Sequence, residues 1–346
     1  MTRHRPFLQL VLTHLRGYLR EPEAIFWTYG FPLIMVIGLG LAFNDSTEVR
    51  TRFTVTPEAA VHPFVQALQT DPAFEVEVQS IDEAQARLRR NESPLLVSVD
   101  PAGRFEYTFD PTNPEGSQAR SRVDDALQRA GGRQDAFEAI PRKTDAPGSR
   151  YVDFLVPGLI GMNIMGAGLW GIGFSTVNLR VKNLLKRLVA TPMKRSHFLL
   201  SLVASRIVFF IPEMLFLLVA AHLLFDVPIA GNYFSIVFVA FLGSITFAGL
   251  GLLTASRARR IESVSGLMNL VMVPMWLGSG IFFSAERFPA FMQPFIQALP
   301  LTQLINALRA VILTGESLFS QSMAVGILSA WCVVSYLLAL KLFRWV

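Results

Sequence analysis

The chain has 346 residues, 52% of them hydrophobic and only 16% charged, with a positive mean hydropathy. Charge that sparse at this length excludes an ordinary soluble globular protein and points to an integral membrane protein. The net charge is +5, and the single cysteine, Cys332, lies in an apolar run, which excludes an intramolecular disulfide and a cysteine-built metal site.

Residues 1–23 contain RHRPFLQLVLTHLRGYLR, a basic amphipathic stretch with Leu8, Val11, Leu12 and Leu15 on one helical face. It reads as a helix lying at the inner membrane surface. Ala24 to Phe43 carry no charge and read as the first transmembrane helix, since 20 residues at about 1.5 Å each cover about 30 Å of hydrocarbon. The run exceeds the roughly 7–15 residues of a signal-peptide core, and no clear A-x-A site follows it.

Residues 44–150 differ in kind. Short β-type runs (Arg52–Thr56, Phe74–Gln79, Leu95–Val99, Phe105–Phe109) alternate with helical ones (Glu58–Gln69, Ile81–Arg90, Glu115–Ala130), and Pro, Gly, Asn and Asp separate them. The order predicts a small βαβαββα domain inserted between the first two spans. It holds 18 acidic and 13 basic side chains, so the rest of the chain is strongly basic.

From 151 to 346 the chain is again apolar. Spans are expected at Phe154 to Val177, Phe198 to Phe225, Tyr233 to Ala255, Val264 to Phe283 and Met323 to Phe343. With Ala24–Phe43 that makes six. The glycines of the second span (Gly158, Gly161, Gly166, Gly168, Gly171, Gly173) suit close helix contact. Residues 284–320 are apolar but broken by Pro289, Pro294 and Pro300, so a re-entrant segment is expected there rather than a straight span.

Asn178 to Arg195 separates the second and third spans. Val181, Leu184, Leu185, Leu188 and Val189 fall at i, i+3, i+4, i+7 and i+8, one apolar helical face. Arg180, Lys182, Asn183, Lys186 and Arg187 fill the rest of the wheel, and Thr191-Pro192 ends it. Such a helix either lies in the headgroup layer or is a lever for a partner.

Basic residues set the orientation. Arg3, Arg5, Arg16 and Arg20, six Lys/Arg with no acid in 180–195, then Arg257, Arg259 and Arg260, and finally Lys341 and Arg344 beside Trp345, all fall on one side. The positive-inside rule puts both termini and these loops in the cytoplasm, and residues 44–150 outside.

No G-x-x-x-x-G-K-[ST] loop, H-E-x-x-H or G-x-S-x-G sequence occurs, and the five histidines are scattered. No catalytic residue is expected. Polar residues at membrane depth are informative because they are costly there. Asp153 and Asn163 on the second span, Arg206 and Glu213 on the third, and Asn306 and Arg309 in the re-entrant segment are candidates for a transport path or for buried pairing. Arg206 and Glu213 are seven residues apart, beyond a simple i, i+4 pair, so each is expected to find a partner on another helix.

Three stretches resemble a known family. LLKRLVATPMKRSHFLLSLVASR (184–206) is similar to the coupling segment and third span of ABC-transporter permeases of the type-2 exporter class. WLGSGIFFSAERFPAFMQPFIQALPLTQLINALR (276–309) resembles their segment after the fifth span, and LREPEAIFWTYGFPLIM (19–35) the approach to the first. The domain at 44–150, with Asp110-Pro-Thr-Asn-Pro114 near its end, resembles a subgroup with a large extracytoplasmic domain. Two positions depart from the family pattern: no glutamate precedes the basic helix, and Leu299 stands where asparagine is common.

The resemblance implies an α-helical polytopic protein with six spans and an inserted α/β extracytoplasmic domain, in a bacterial cytoplasmic (inner) membrane. It implies no cofactor in this chain, ATP and Mg being held by a separate ABC ATPase subunit. That ATPase would dock on a coupling helix at 179–192, through Arg180, Lys182, Asn183, Leu184, Lys186, Arg187, Leu188, Thr191 and Pro192. It further implies a second permease subunit, identical or paralogous, meeting this one along the second and fifth spans. A periplasmic adaptor is a further partner in the class; nucleic acid is not. Substrates of the class are lipids, lipid-linked glycans, drugs and antibiotics. An ion-driven secondary transporter and a membrane-anchored sensor or assembly factor are the alternatives; no internal repeat supports the former.

Overall fold

The computed structural model describes residues 6–44, 50–134, 137, 150–189 and 195–343. Arg3, Arg5, Thr191, Pro192, Arg344 and Trp345 lie outside these. The chain divides into two compact units, Met1–Asn44 with Thr144–Val346, and Asp45–Lys143.

The first unit is helical. Among the described residues five helices are long and apolar enough to cross a membrane: Tyr151–Val181, Leu200–Phe225, Tyr233–Ala255, Ile261–Gly278 and Ser322–Leu342. A bent pair, Ala290–Ala298 and Pro300–Thr314, turns through 84° and makes a sixth if it is counted as one broken span. The bend sits at Leu299, whose backbone is extended (φ −69°, ψ 134°) because Pro300 bars it from the helical region. Gly315, at φ 69°, closes the second helix of the pair in the left-handed conformation that glycine tolerates. The Trp331 indole N–H, from the last helix, donates to the Ala298 carbonyl at 2.8 Å.

The stretch expected as the first span is a shorter apolar helix, Phe26–Ala42. At about 1.5 Å per residue this is about 25 Å of helix, a little under the hydrocarbon thickness. It opens with a π-helical turn, Phe26–Gly30, and continues as Phe31–Asn44.

Tyr151–Val181 is the central helix: 78% of its apolar window is buried inside the unit, against 22% for Ser322–Leu342. Its glycines explain how. A Cβ on Gly168 would lie 2.6 Å from the Phe247 Cβ, and one on Gly251 would strike the Gly168 carbonyl, so the second and fourth spans cross backbone to backbone. Gly158, Gly161 and Gly173 are also packed, whereas Gly166 meets nothing within 4 Å and Gly171 only the Arg206 stem. Leu155, Leu159, Met165, Phe247, Leu304 and Leu308 are among the fully buried core around this crossing.

The second unit carries a four-stranded sheet, order β2-β1-β3-β4, from β1 (Thr51–Val55), β2 (Phe74–Val78), β3 (Leu96–Val99) and β4 (Phe105–Thr108). β1 is parallel to β2 and β3, and β4 is antiparallel to β3. Phe53, Val55 and Val97 are buried with Val65, Leu68, Val123 and Leu127 from the helices Pro63–Thr70 and Pro114–Ala130. The expected helix over 58–69 is two, Pro57–Ala60 and Pro63–Thr70, because Pro63 cannot extend the first. The Asp110–Pro114 motif builds a turn and a cap. Asp110 Oδ1 accepts from the Thr112 N–H at 2.8 Å, and Asn113 Oδ1 from the Glu115 N–H at 3.0 Å, starting helix Pro114–Ala130.

Candidate functional site: the basic turn and the polar groups of the helical unit

The single amphipathic helix expected over 179–192 is broken. Helix Ser175–Val181 ends, Lys182 and Asn183 turn, and Leu184–Val189 forms a second short helix. Asn183 sits at φ 56°, which asparagine tolerates better than a branched residue does. The Lys182 N–H still reaches the Asn178 carbonyl at 3.0 Å, and the Asn183 N–H the Arg180 carbonyl at 3.0 Å, so the turn closes the first helix. The break rotates the second helix relative to the first, and the supposed common face is lost. Val181 is exposed, while Leu185 is 1% exposed. Leu185 sits in a cluster with Ile172, Phe198, Leu202, Ala248 and Leu252, from three spans. Leu184 is half-buried, and Lys182, Asn183, Lys186 and Arg187 point to the surface. Leu188 belongs to the second short helix.

Arg180 is engaged within the bundle. Its Nη1 donates to the Ala255 carbonyl at 2.8 Å and to that of Ala258, and its Nη2 to that of Ser256 at 3.3 Å. The guanidinium stands 5.3 Å from the Phe343 ring centre. It therefore satisfies carbonyls left open where helix Tyr233–Ala255 ends, a role suited to a cation at a helix C-terminus.

A polar cluster lies farther along the third helix, Arg195–Phe225. Arg206 and Glu213, expected to seek partners on other helices, pair with each other: Arg206 Nη2 donates to Glu213 Oε2. Seven residues rise about 10.5 Å, a gap two long side chains laid along the helix can close. Both are buried, at 7% and 3% exposure. Glu213 Oε1 also accepts from the Tyr18 hydroxyl at 3.5 Å. Tyr18 is on helix Pro6–Leu19, hydrogen-bonds Thr28, and stacks obliquely on Phe209 with centroids 4.2 Å apart. Burial pushes its phenol up to about 12, so it stays a neutral donor.

The sequence pattern missed Tyr18 and His14. The apolar face expected on Pro6–Leu19 is packed only in part: Leu8 and Leu12 are exposed and Leu15 half-buried, while Val11 is buried and His14 and Tyr18 half-buried beside it. The i, i+3, i+7 spacing of Val11, His14 and Tyr18 was the available signal. His14 lies 6.3 Å from Phe198, ring to ring, and burial lowers its pKa.

The remaining polar candidates hold backbone in place. Asn163 Nδ2 donates to the Thr28 carbonyl at 3.2 Å. Thr28 needs an outside donor because Pro32, four residues on, has no N–H to return. Asp153 is fully buried and grips Arg150, accepting from its Nε at 3.1 Å, its Nη2 at 2.9 Å and its backbone N–H at 3.2 Å, as a cap on helix Tyr151–Gly168. Arg309 donates from Nε and Nη2 to the Phe154 carbonyl at 3.1 and 3.0 Å, and from Nη2 to that of Gly280, with its guanidinium 3.5 Å from the Phe154 ring centre. Asn306 is half-buried on the same helix. Among the described residues no group of His, Cys, Asp and Glu is arranged to hold a metal ion.

Known proteins share this sequence pattern. The chain is 27% identical over 254 residues to ABC transporter G family member 20 of Dictyostelium discoideum, covering 71% of this chain and 34% of that protein. It is 27% identical over 170 residues to inner membrane transport permease YadH of Escherichia coli (48% and 64%). To linearmycin resistance permease protein LnrN of Bacillus subtilis it is 27% identical over 128 residues (37% and 33%). The chain thus spans about a third of two of these relatives and just under two thirds of the other. A family model described as ABC-2 family transporter protein matches residues 22–341, from the start of the first apolar helix to the end of the last, and the chain belongs to that family of ABC transporter permeases.

Proposed function

We propose that this chain is the membrane-spanning permease subunit of an ATP-driven exporter. It works with a separate ABC ATPase subunit that supplies ATP and Mg chemistry, and with a second permease subunit. It sits in a bacterial cytoplasmic membrane with both termini cytoplasmic and the unit at 45–143 outside. The Lys/Arg bias of the 182–187 and 257–260 segments supports that orientation. The cargo is hydrophobic or amphipathic: a lipid, a lipid-linked glycan, a drug or an antibiotic. The name of one relative, a linearmycin resistance permease protein, supports the antibiotic end of that range. A periplasmic adaptor for the 45–143 unit completes the proposed assembly.

The observation that carries this reading is the seat of Leu185. A partner pressing on Lys186 and Arg187 pushes, through Leu185, on side chains from the second, third and fourth spans at once. That is a rigid-body linkage between a surface turn and the bundle. Displacement of the turn by an ATPase would move the spans against the second permease subunit along exposed faces such as Trp170 on the second span and Leu270 and Leu277 on the fifth.

ATP-dependent export from inverted membrane vesicles carrying the permease and its ATPase tests the proposal. Lys186→Glu with Arg187→Glu should cut transport at least tenfold while the protein still inserts. Undiminished export in that variant would remove the coupling role from the segment. An ion-driven transporter is less well supported, because the mid-span acid Glu213 is already held by Arg206 and Tyr18.

A further inference from the structure

In the 45–143 unit the Asp110–Pro114 motif also forms one wall of a cavity. β3 runs antiparallel to β4 with Leu96 opposite Thr108, so the loop before β3 and the loop after β4 meet at one end of the sheet. Between them lies an open cavity of about 360 Å³, lined by Arg89, Asn91, Ser93, Asp110, Thr112 and Asn113 among others. That is within the roughly 300–1,000 Å³ of small-ligand sites. The two loops are tied together. Asn113 Nδ2 donates to Asn91 Oδ1 at 3.0 Å, from loop to loop. The buried Thr54 hydroxyl donates to Ser93 Oγ at 2.9 Å, and Ser93 in turn to the Leu95 carbonyl at 3.1 Å. A Cβ on Gly116 would lie 2.9 Å from the Pro94 carbonyl, so helix Pro114–Ala130 starts directly against the first loop. Asn91 takes φ 59° just beyond helix Ile81–Arg89, where glycine is the usual residue. Asparagine adds a side chain that the turn itself does not require.

Several polar atoms of this cavity have no partner among the described residues. Arg89 uses only its Nε, on the Gln85 carbonyl, which leaves both Nη groups open. Asn91 Nδ2 makes no hydrogen bond, and neither does Asp110 Oδ2, since Oδ1 takes both bonds from Thr112. The Thr112 hydroxyl and N–H hold the Asp110 carboxyl below its ordinary value, so it is a carboxylate that only accepts. We infer that this cavity is a binding site for a neutral, hydroxyl-rich ligand, the sugar of a glycan. Its open groups are amide and guanidinium donors beside one carboxylate acceptor. Each sugar hydroxyl both donates and accepts, so neighbouring hydroxyls match both kinds at once. An anion would be repelled by Asp110, and a cation by Arg89. The loops are already fixed by bonds that owe nothing to a ligand, which lowers the ordering cost of binding. Among the described lining residues none is aromatic, so affinity is expected to be modest. The inference stands apart from the permease reading, since it needs neither an ATPase nor transport.

The test is amide hydrogen exchange over Asn91–Leu95 and Thr112–Gly116, measured on the full chain in nanodiscs. The probes are glucose, galactose, mannose, N-acetylglucosamine and their short oligomers, free at high millimolar concentration or as headgroups of glycolipids in the nanodisc. At least one should slow exchange in both segments threefold or more. Asn91→Gly keeps the left-handed turn, and Arg89→Gln changes an exposed side chain, so folding is not at stake in either. Each should raise the sugar concentration for half-protection at least fivefold while leaving the melting temperature unchanged. Protection by free sugars identifies a soluble glycan, and protection by the glycolipid alone a lipid headgroup; either result, lost in both variants, supports the site. No protection by any of these probes would overturn the proposal. So would protection that both variants retain, or displacement of the sugar by an equal concentration of inorganic phosphate, which would mark an anion site. None of these results bears on ATP-dependent export, and loss of export would leave the sugar site standing.

Discussion

Arg206 and Glu213 are buried inside the helical unit, away from solvent, and each supplies what the other lacks. A buried ion pair of this kind adds little by itself, but removing one partner strands the other charge, at a cost of roughly 3–5 kcal/mol. Arg206→Met or Glu213→Leu alone should therefore lower the thermal unfolding temperature in detergent clearly, and the double variant should recover much of the loss. If the double variant is stable and still exports, the pair is a brace; if it is stable and inactive, the pair lines the path. His14 gives a pH prediction. Its pKa is lowered by burial from the ordinary 6.5, so the folded state binds fewer protons than the unfolded one between that lowered value and 6.5. The stability it contributes is present above 6.5 and is lost as pH falls through that window. The hold of helix Pro6–Leu19 on the third helix should loosen on acidification, read as faster hydrogen exchange across Val11–Tyr18. His14→Phe should abolish that dependence.

At the scale of elements, the basic turn shows what was legible and what was not. Its charge set it apart from the two spans that flank it, Tyr151–Val181 and Leu200–Phe225. Perfect i, i+3, i+4 spacing nevertheless suggested one helix where there are two, because periodicity carries no sign of φ, and Asn183 takes a left-handed value. The consequence is testable. Asn183→Gly should keep the turn, whereas Asn183→Val should cost about 1–2 kcal/mol and, by shifting Leu185 from its seat, weaken coupling more than insertion. Leu185→Ala should cost about 2–5 kcal/mol by opening a cavity among three spans. Leu299 and Pro300 were readable, since the bend follows from proline's effect on the residue before it. The Arg206–Glu213 pair was not, because sequence spacing rates a seven-residue gap as too long and ignores side-chain reach. Nor was the Asn163 contact to Thr28, which needs two helices to be placed side by side before the missing N–H of Pro32 matters.

For the whole molecule, the division of charge matches the division of labour in the proposed exporter. Residues 44–150 carry the acidic excess, while the 182–187 and 257–260 segments of the helical unit expose basic residues. In the proposed exporter the 182–187 segment is a cytoplasmic dock and the 45–143 unit lies outside. Cys332 is the sole cysteine, so Cys332→Ser gives a cysteine-free chain into which single reporters can be placed. The most direct measurement uses two: Lys186→Cys, and Glu115→Cys on the 45–143 unit, both at exposed positions. In intact cells a membrane-impermeant thiol reagent should label only the Glu115→Cys protein, and in inverted vesicles only the Lys186→Cys protein. The latter should also cross-link to the ATPase in a manner that changes with ATP. Labelling of Lys186→Cys from outside, or its failure to cross-link while the ATPase remains bound, would contradict the account.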